Sequence, residues 1–118
     1  MKHLSFSVIV PVFNRPQEIE ELLESLSNQD FQKDFEVLII EDGSTIECKD
    51  VVAKFQSKLT IQYHCKENSG PGESRNSGMH KAQGNYFIFL DSDVILPKQY
   101  LSEVSKQLET NYTDAFGG

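Results

Sequence analysis

The sequence has no tryptophan, two cysteines, four prolines and only 11 Lys and Arg residues against 18 Asp and Glu. The cysteine count and the charge balance each remove a class of protein. Cys48 and Cys65 are too few and too far apart for a zinc knuckle or a CxxC redox motif, and both read as buried reduced thiols. His3, His64 and His80 show no ligand spacing and read as surface or strand residues. A net charge of −7 argues against nucleic-acid binding, which needs a basic face. No apolar run approaches the roughly 18 residues that would suggest a membrane span. Met1-Lys2-His3-Leu4-Ser5 passes straight into a strand-like segment without the apolar core of a signal peptide, so a cytoplasmic location is expected.

What remains, 38% apolar and 25% charged residues over 118 positions, describes a folded single domain rather than a disordered chain. Four strand-like runs alternate with four helix-like ones. Phe6–Val10 is rich in β-branched residues and is expected to stop pairing at Pro11. Pro16 can open a helix at no hydrogen-bond cost, and Ile19, Leu22, Leu23 and Leu26 then form one apolar stripe. Phe35–Ile40 predicts a second strand, closed by turn residues Asp42-Gly43-Ser44. Cys48, Val51, Val52 and Phe55 return to helical spacing. Leu59–Tyr63 alternates like a half-exposed strand, and a loop over Asn68–Gly72 leads into a helix near Glu73–Ala82. Tyr86–Leu90 is the most hydrophobic strand. Pro97 opens a last helix with Leu101, Val104 and Leu108 facing inward. The tail, including Asp114, reads as a loop that breaks off at Phe116-Gly117-Gly118. This alternation predicts an α/β fold, a mostly parallel sheet with helices on both faces.

In such sheets ligands bind beyond the carboxyl ends of the strands. Three of the four predicted strands end in polar groups there: Asn14 after the first, Glu41-Asp42-Gly43-Ser44 after the second, and Asp91-Ser92-Asp93 after the fourth. An Asp-x-Asp pair in a random place is a solvated turn. Directly after an apolar strand, its two carboxylates repel each other and invite a shared cation. Mg²⁺ or Mn²⁺ takes one or two carboxylates and fills its shell with water and phosphate oxygens. Such an ion would reconcile an acidic protein with a phosphorylated ligand. Asp42 reads either as a turn former or helix cap or as an acceptor for a nucleobase N–H, and Asn14 either as a cap of the first helix or as a ligand contact. Arg75, in the Asn68–Gly78 segment, reads equally as a phosphate or ribose contact and as a partner for a rim Asp. That segment is no P-loop, lacking Lys-Ser/Thr after its glycines, and no GxGxxG follows the first strand.

Taken in order, Pro11-Val12-Phe13-Asn14, Glu41-Asp42-Gly43-Ser44, Asn68-x-Gly70-x-Gly72-x-x-Arg75-Asn76-x-Gly78 and Leu90-Asp91-Ser92-Asp93 resemble the donor-binding half of glycosyltransferase family 2. Each motif is weak alone, but four in order, spanning about Ser5 to Leu101, are specific. The resemblance implies a GT-A fold with a Rossmann-like nucleotide-binding half. It also implies a nucleoside-diphosphate-sugar donor (a UDP-sugar favoured), Mn²⁺ or Mg²⁺, and inversion at the anomeric carbon. Acceptors would be a sugar, a lipid-linked molecule or a protein. By position it assigns Pro11, Val12 and Asn14 to the nucleoside pocket, Asp42 to the base, Arg75 to the nucleotide, Asp91 to ribose or metal and Asp93 to the metal. Family members continue past Asp-x-Asp into a segment that holds the acceptor and a general base. Residues 1–118 are therefore expected to be a donor subdomain truncated before that part, unable to transfer sugar alone. The full-length protein would sit in the cytoplasm, peripheral to the membrane. The truncation is also expected to expose apolar surface through which copies associate. The rival expectations are a non-catalytic nucleotide-binding or scaffolding module and a nucleotidyltransferase. The latter needs a Gly-rich basic loop after the first strand, which Val12–Pro16 does not supply.

Overall fold

A computed structural model describes residues 6–31, 34–110 and 115–117. Nine elements follow in order: β1 (Phe6–Val12), α1 (Pro16–Ser27), β2 (Phe35–Asp42), α2 (Lys49–Phe55), β3 (Thr60–Lys66), α3 (Pro71–Lys81), β4 (Tyr86–Phe89), α4 (Tyr100–Thr110) and β5 (Ala115–Gly117). The strands form one sheet in the order β3-β2-β1-β4-β5, every neighbouring pair parallel. The predicted α/β class holds, with β5 added where a loop was expected. His3 and Asp114 lie outside the described residues.

Strand alternation sorts the core into two layers. Phe6, Val8, Val10 and Val12 of β1, with Val37, Ile39 and Ile88, face α1, α2 and α4 and pack against Ile19, Leu22, Leu23, Leu26, Val52, Phe55, Leu101 and Val104. On the opposite face Ile9, Leu38 and Ile40 pack under α3 against Met79 and Ala82. Helices thus cover both faces, three to one. At the amino-terminal end of the α3 face, the buried Glu36 carboxylate accepts from Ser7 Oγ (2.6 Å), Gln62 Nε2 (2.9 Å) and the Gln83 N–H (2.6 Å). Gly84 N–H donates to Ser7 Oγ at 2.7 Å. These donors replace water around a buried charge and pin the α3–β4 loop to three strands.

Several boundaries differ from expectation, each for a local reason. β1 does not stop at Pro11: Pro11 pairs with Ile40 and Val12 with Glu41. A residue's N–H and C=O point to the same side of a strand, and the Ile9 carbonyl bonds Leu90 N on the β4 side. The N–H that Pro11 lacks would point the same way, past the end of β4, so no ladder bond is lost. β2 runs two residues further than predicted because Glu41 and Asp42 pair with Cys65 and Lys66, and β3 correspondingly spans Thr60–Lys66 in place of the expected Leu59–Tyr63. Asp42 therefore ends a strand instead of opening a turn. Pro97 begins a turn whose carbonyl accepts Tyr100 N–H, and the helix proper starts at Tyr100. Cys48 is buried, but Cys65 is exposed on the edge strand beside Glu47, against the expectation of two buried thiols.

Candidate functional site at the carboxyl edge of the sheet

The chain steps from β1 to β2 and β3, then returns past β1 to β4. This reversal places the switch point between β1 and β4, where open α/β sheets hold their ligands. Asn14, Asp42, Asp91 and Asp93 all follow or end strands at this edge, and α3 delivers Arg75 beside it.

Asn14 is not a helix cap; Arg15 holds the N-cap position of α1. Asn14 adopts φ 53°, the left-handed region that asparagine tolerates, and its Oδ1 accepts from Thr45 N (2.8 Å) and Ile46 N (2.9 Å). Its own N–H donates to Ser44 Oγ at 3.0 Å. Ser44 Oγ in turn donates to Glu41 Oε1 at 2.6 Å, while Glu41 Oε2 accepts the Cys48 N–H (2.6 Å) and Tyr63 hydroxyl (2.7 Å). Glu41, 1% exposed, thus ties the loops after β1 and β2 into one unit. Burial, then the bond to Glu41, pushes both the Cys48 thiol and the Tyr63 phenol up, so neither ionises near neutrality.

Asp42 is a second hub. Its Oδ1 accepts from Lys66 Nζ (2.6 Å) and Ser69 N–H (2.8 Å), and its Oδ2 from Gly70 N–H (3.0 Å). Asn68 Nδ2 reaches the Asp42 carbonyl at 2.9 Å. Burial raises the Asp42 carboxyl, but the Lys66 ammonium and the two N–H groups outweigh it and leave it below its ordinary value. Asp42 is therefore a fixed anion at neutral pH. Gly43 follows at φ 76°, and a Cβ there would stand 2.7 Å from Asn68, so only glycine permits this turn.

Asp91 and Asp93 flank a turn just past β4, both exposed and neither ion-paired with a described Lys or Arg. Ser92 between them donates to Glu18 Oε1 of α1 at 3.2 Å. Among the described residues no three His, Cys, Asp or Glu side chains gather as a ready-made metal centre. Two open carboxylates nonetheless suit an ion that takes its other ligands from water and phosphates. Arg75 is half-buried and makes no ion pair with a described carboxylate, so the pairing with a rim Asp is not observed. Val12 turns its side chain into the core at 3% exposure, leaving only its backbone for the rim, whereas Pro11 is half-buried. A cleft of ≈ 280 Å³ beside the start of α1 is lined by Asn14, Arg15, Pro16, Gln17, Glu18 and Ile46. A larger one, ≈ 770 Å³, lies between α1 and residues 95–98 and touches none of the candidate site residues.

Sequence reasoning did not single out Glu41, Ser44, Lys66 or Tyr63 as site residues. Glu41 and Ser44 stood inside a recognised motif, but their bonds to Tyr63 and Asn14 join residues 22 and 30 positions apart. Lys66 fell beyond the predicted end of its strand.

The glycosyl transferase family 2 profile matches residues 7–118. The poly(ribitol-phosphate) β-N-acetylglucosaminyltransferase TarS of Staphylococcus aureus is 37% identical over 114 residues, covering 94% of this chain and 20% of TarS. A crystal structure of its residues 1–349 with UDP-GlcNAc superposes with a TM-score of 0.86 at 38% identity, over 94% of this chain and 33% of that one. A Campylobacter jejuni GalNAc(5)-diNAcBac-PP-undecaprenol β-1,3-glucosyltransferase is 37% identical over 94% of this chain and 37% of its own length. The mannosyltransferase PcManGT of Pyrobaculum calidifontis, solved with GDP-Man and Mn²⁺, gives a TM-score of 0.81 at 26% identity, over 92% of this chain and 33% of that one. The chain thus spans between a fifth and two fifths of the length of these relatives.

Proposed function

Because this chain belongs to glycosyltransferase family 2 and has the nucleotide-binding half of the GT-A fold, we propose that its rim binds the nucleoside diphosphate of a sugar donor. The sugar is then transferred, with inversion, to an acceptor hydroxyl. The observation that carries this reading is the meeting of Asn14, Asp42, Asp91 and Asp93 at the carboxyl ends of three parallel strands around the switch point.

Each group has a chemical task there. Asp42, a pre-set anion, accepts an N–H of the base. Asn14, braced against residues 44–46, shapes the nucleoside side of the crevice together with Pro11 and the backbone of Val12. Arg75, which makes no ion pair with a described carboxylate, supplies positive charge to the phosphates or ribose. Asp91 and Asp93 would hold a Mn²⁺ or Mg²⁺ that offsets charge on the departing diphosphate. The acceptor oxygen forms its bond to the anomeric carbon as the bond to the diphosphate breaks, and the hydroxyl proton passes to a carboxylate outside this rim. Residues 1–118 act in this scheme as the donor-binding subdomain and do not transfer sugar unaided. A UDP-sugar is favoured, because the TarS relative was solved with UDP-GlcNAc. Two free thiols suit a reducing cytoplasm.

Calorimetric titration with UDP and GDP, with and without Mn²⁺, tests the reading. Binding of a nucleotide is expected to strengthen at least tenfold with the metal, and Asp93→Asn to remove that gain without lowering the melting temperature. An Asp93→Asn protein that keeps the full metal effect would refute the assignment.

A further inference from the structure

A carboxylate offers roughly four acceptor positions, about two on each oxygen. In Asp42 the Oδ1 positions are both taken, by Lys66 Nζ and Ser69 N–H, and one Oδ2 position is taken by Gly70 N–H. Among the described residues no further donor reaches this carboxylate, so one position on Oδ2 is left. Lys66 itself has nothing to spare: its ammonium bonds Asp42, the Glu67 carbonyl and Ser69 Oγ. The pair is largely shielded from water, with 7% of the Asp42 side chain and 21% of the Lys66 side chain exposed. Salt therefore screens this pair less than an exposed one.

Nucleobases differ in what they bring to such an anion. The pairing edge of uracil has a single N–H between two carbonyls. That of guanine has two adjacent donors, the ring N–H and the exocyclic amine, which suit a carboxylate with both oxygens open. Cytosine and adenine present an exocyclic amine beside a bare ring nitrogen, so one donor and one acceptor face the carboxylate. A desolvated donor left without a partner weakens binding by about tenfold or more.

We propose that Lys66 is a specificity-determining residue: by filling Oδ1 it leaves Asp42 one acceptor position, so the pocket takes a uracil nucleotide in preference to a guanine one. This rests on Asp42 being the base acceptor. Lys66 does not touch the base; it is a positioning residue acting through the carboxylate it holds. Replacing it by methionine vacates one Oδ1 position while Ser69 N–H and Gly70 N–H still hold the carboxylate in place. Guanine then finds one acceptor on each oxygen.

The test is calorimetric titration of UDP and GDP, with Mn²⁺ present, against the wild-type chain, Lys66→Met, Lys66→Arg and Asp42→Asn, each checked for folding by thermal melting. Lys66→Ala replaces the methionine variant if that one does not fold. UDP is expected to bind the wild type about tenfold or more tighter than GDP. Lys66→Met is expected to bring the two within about threefold, and Lys66→Arg, which keeps a donor on Oδ1, to preserve the preference. A purely structural role for Lys66 would weaken both nucleotides in parallel, and an unchanged ratio in Lys66→Met overturns the proposal. So does a wild type that prefers GDP or does not discriminate. Asp42→Asn separates the two levels. If it binds UDP as tightly as the wild type, the base-acceptor reading fails and the inference with it. If it loses UDP while Lys66→Met keeps the ratio, the inference alone fails.

Discussion

Replacing Glu41 by glutamine and by leucine should give very different losses, because only one replacement keeps the acceptor. In the glutamine variant the amide oxygen can take the place of Oε2 and keep both the Cys48 N–H and the Tyr63 hydroxyl, bonded at 2.6 and 2.7 Å in the wild type. The amide NH₂ then faces Ser44 Oγ, which already accepts the Asn14 N–H and has a second lone pair available once its own hydrogen rotates away. What is lost is the extra strength of hydrogen bonds to a charge, about 1–2 kcal/mol in all. Leucine removes the acceptor from all three donors. The Cys48 N–H is buried and finds no substitute, and the Tyr63 hydroxyl is half-buried. At about 1–3 kcal/mol per orphaned donor, less the relief of no longer burying a carboxylate, the loss comes to about 3–5 kcal/mol. That is a large part of the roughly 5–15 kcal/mol that holds a domain together. Each kcal/mol lowers the melting temperature of a chain this size by about 3–5 °C, so glutamine should cost a few degrees and leucine more than about 10 °C. Urea unfolding gives the two free energies. Amide hydrogen exchange locates them: Asn14, Thr45, Ile46 and Cys48 should lose protection in the leucine variant and keep it in the glutamine variant. Equal losses in the two variants, or a leucine variant that keeps Cys48 protected, would refute the view of Glu41 as the hub of this rim.

Two further expectations concern parts of the molecule away from Glu41. A Cβ at Gly84 would stand 2.6 Å from the Phe6 carbonyl carbon and 2.7 Å from Ser7 N, so Gly84→Ala forces the α3–β4 loop off the first strand. It should cost about 3 kcal/mol in urea unfolding, the upper end of overpacking penalties, and a loss under about 0.5 kcal/mol would contradict the close approach. Burial, and after it the charge of Lys81, holds the His64 imidazole below its ordinary 6.5. The unfolded chain then takes up its proton at higher pH than the folded one. The resulting contribution is complete above about pH 6.5 and is lost as pH falls toward the folded value. Stability measured against pH should decline there in the wild type and stay flatter in His64→Gln; identical curves would refute a role for His64. Asp42, held below its ordinary 3.8, acts lower on the scale: its contribution is present above that pH and lost as pH falls through its folded value.

How far the sequence was legible depended on whether the deciding physics was local. The α1 stripe of Ile19, Leu22, Leu23 and Leu26 is fully buried as its spacing requires, and Pro16 opens that helix. The rim carboxylates could be placed at strand ends because strands betray themselves by their apolar runs. Boundaries set by pairing were not legible. β2 and β3 lengthen each other, since Glu41 and Asp42 remain in a strand only when Cys65 and Lys66 lie alongside. The tail had too little local pattern to reveal a strand that exists only against β4. Asn14 follows the same rule. It lies just before a helix, as caps do, yet its oxygen goes to residues more than thirty positions away.

By itself the sequence determined the alternation of strands and helices, the parallel sheet that follows from it, and which polar residues gather at the carboxyl edge. These follow from periodicity, from proline and glycine chemistry, and from the single sense in which βαβ units wind. Only the tertiary structure decided what those residues do to one another. It made Glu41 a buried hub, filled three of the positions on Asp42, left Arg75 without an ion pair to any described carboxylate and left Asp91 and Asp93 exposed. Hydrogen bonds and burial depend on distances between residues that chain order does not fix, and those distances exist only once the sheet has assembled.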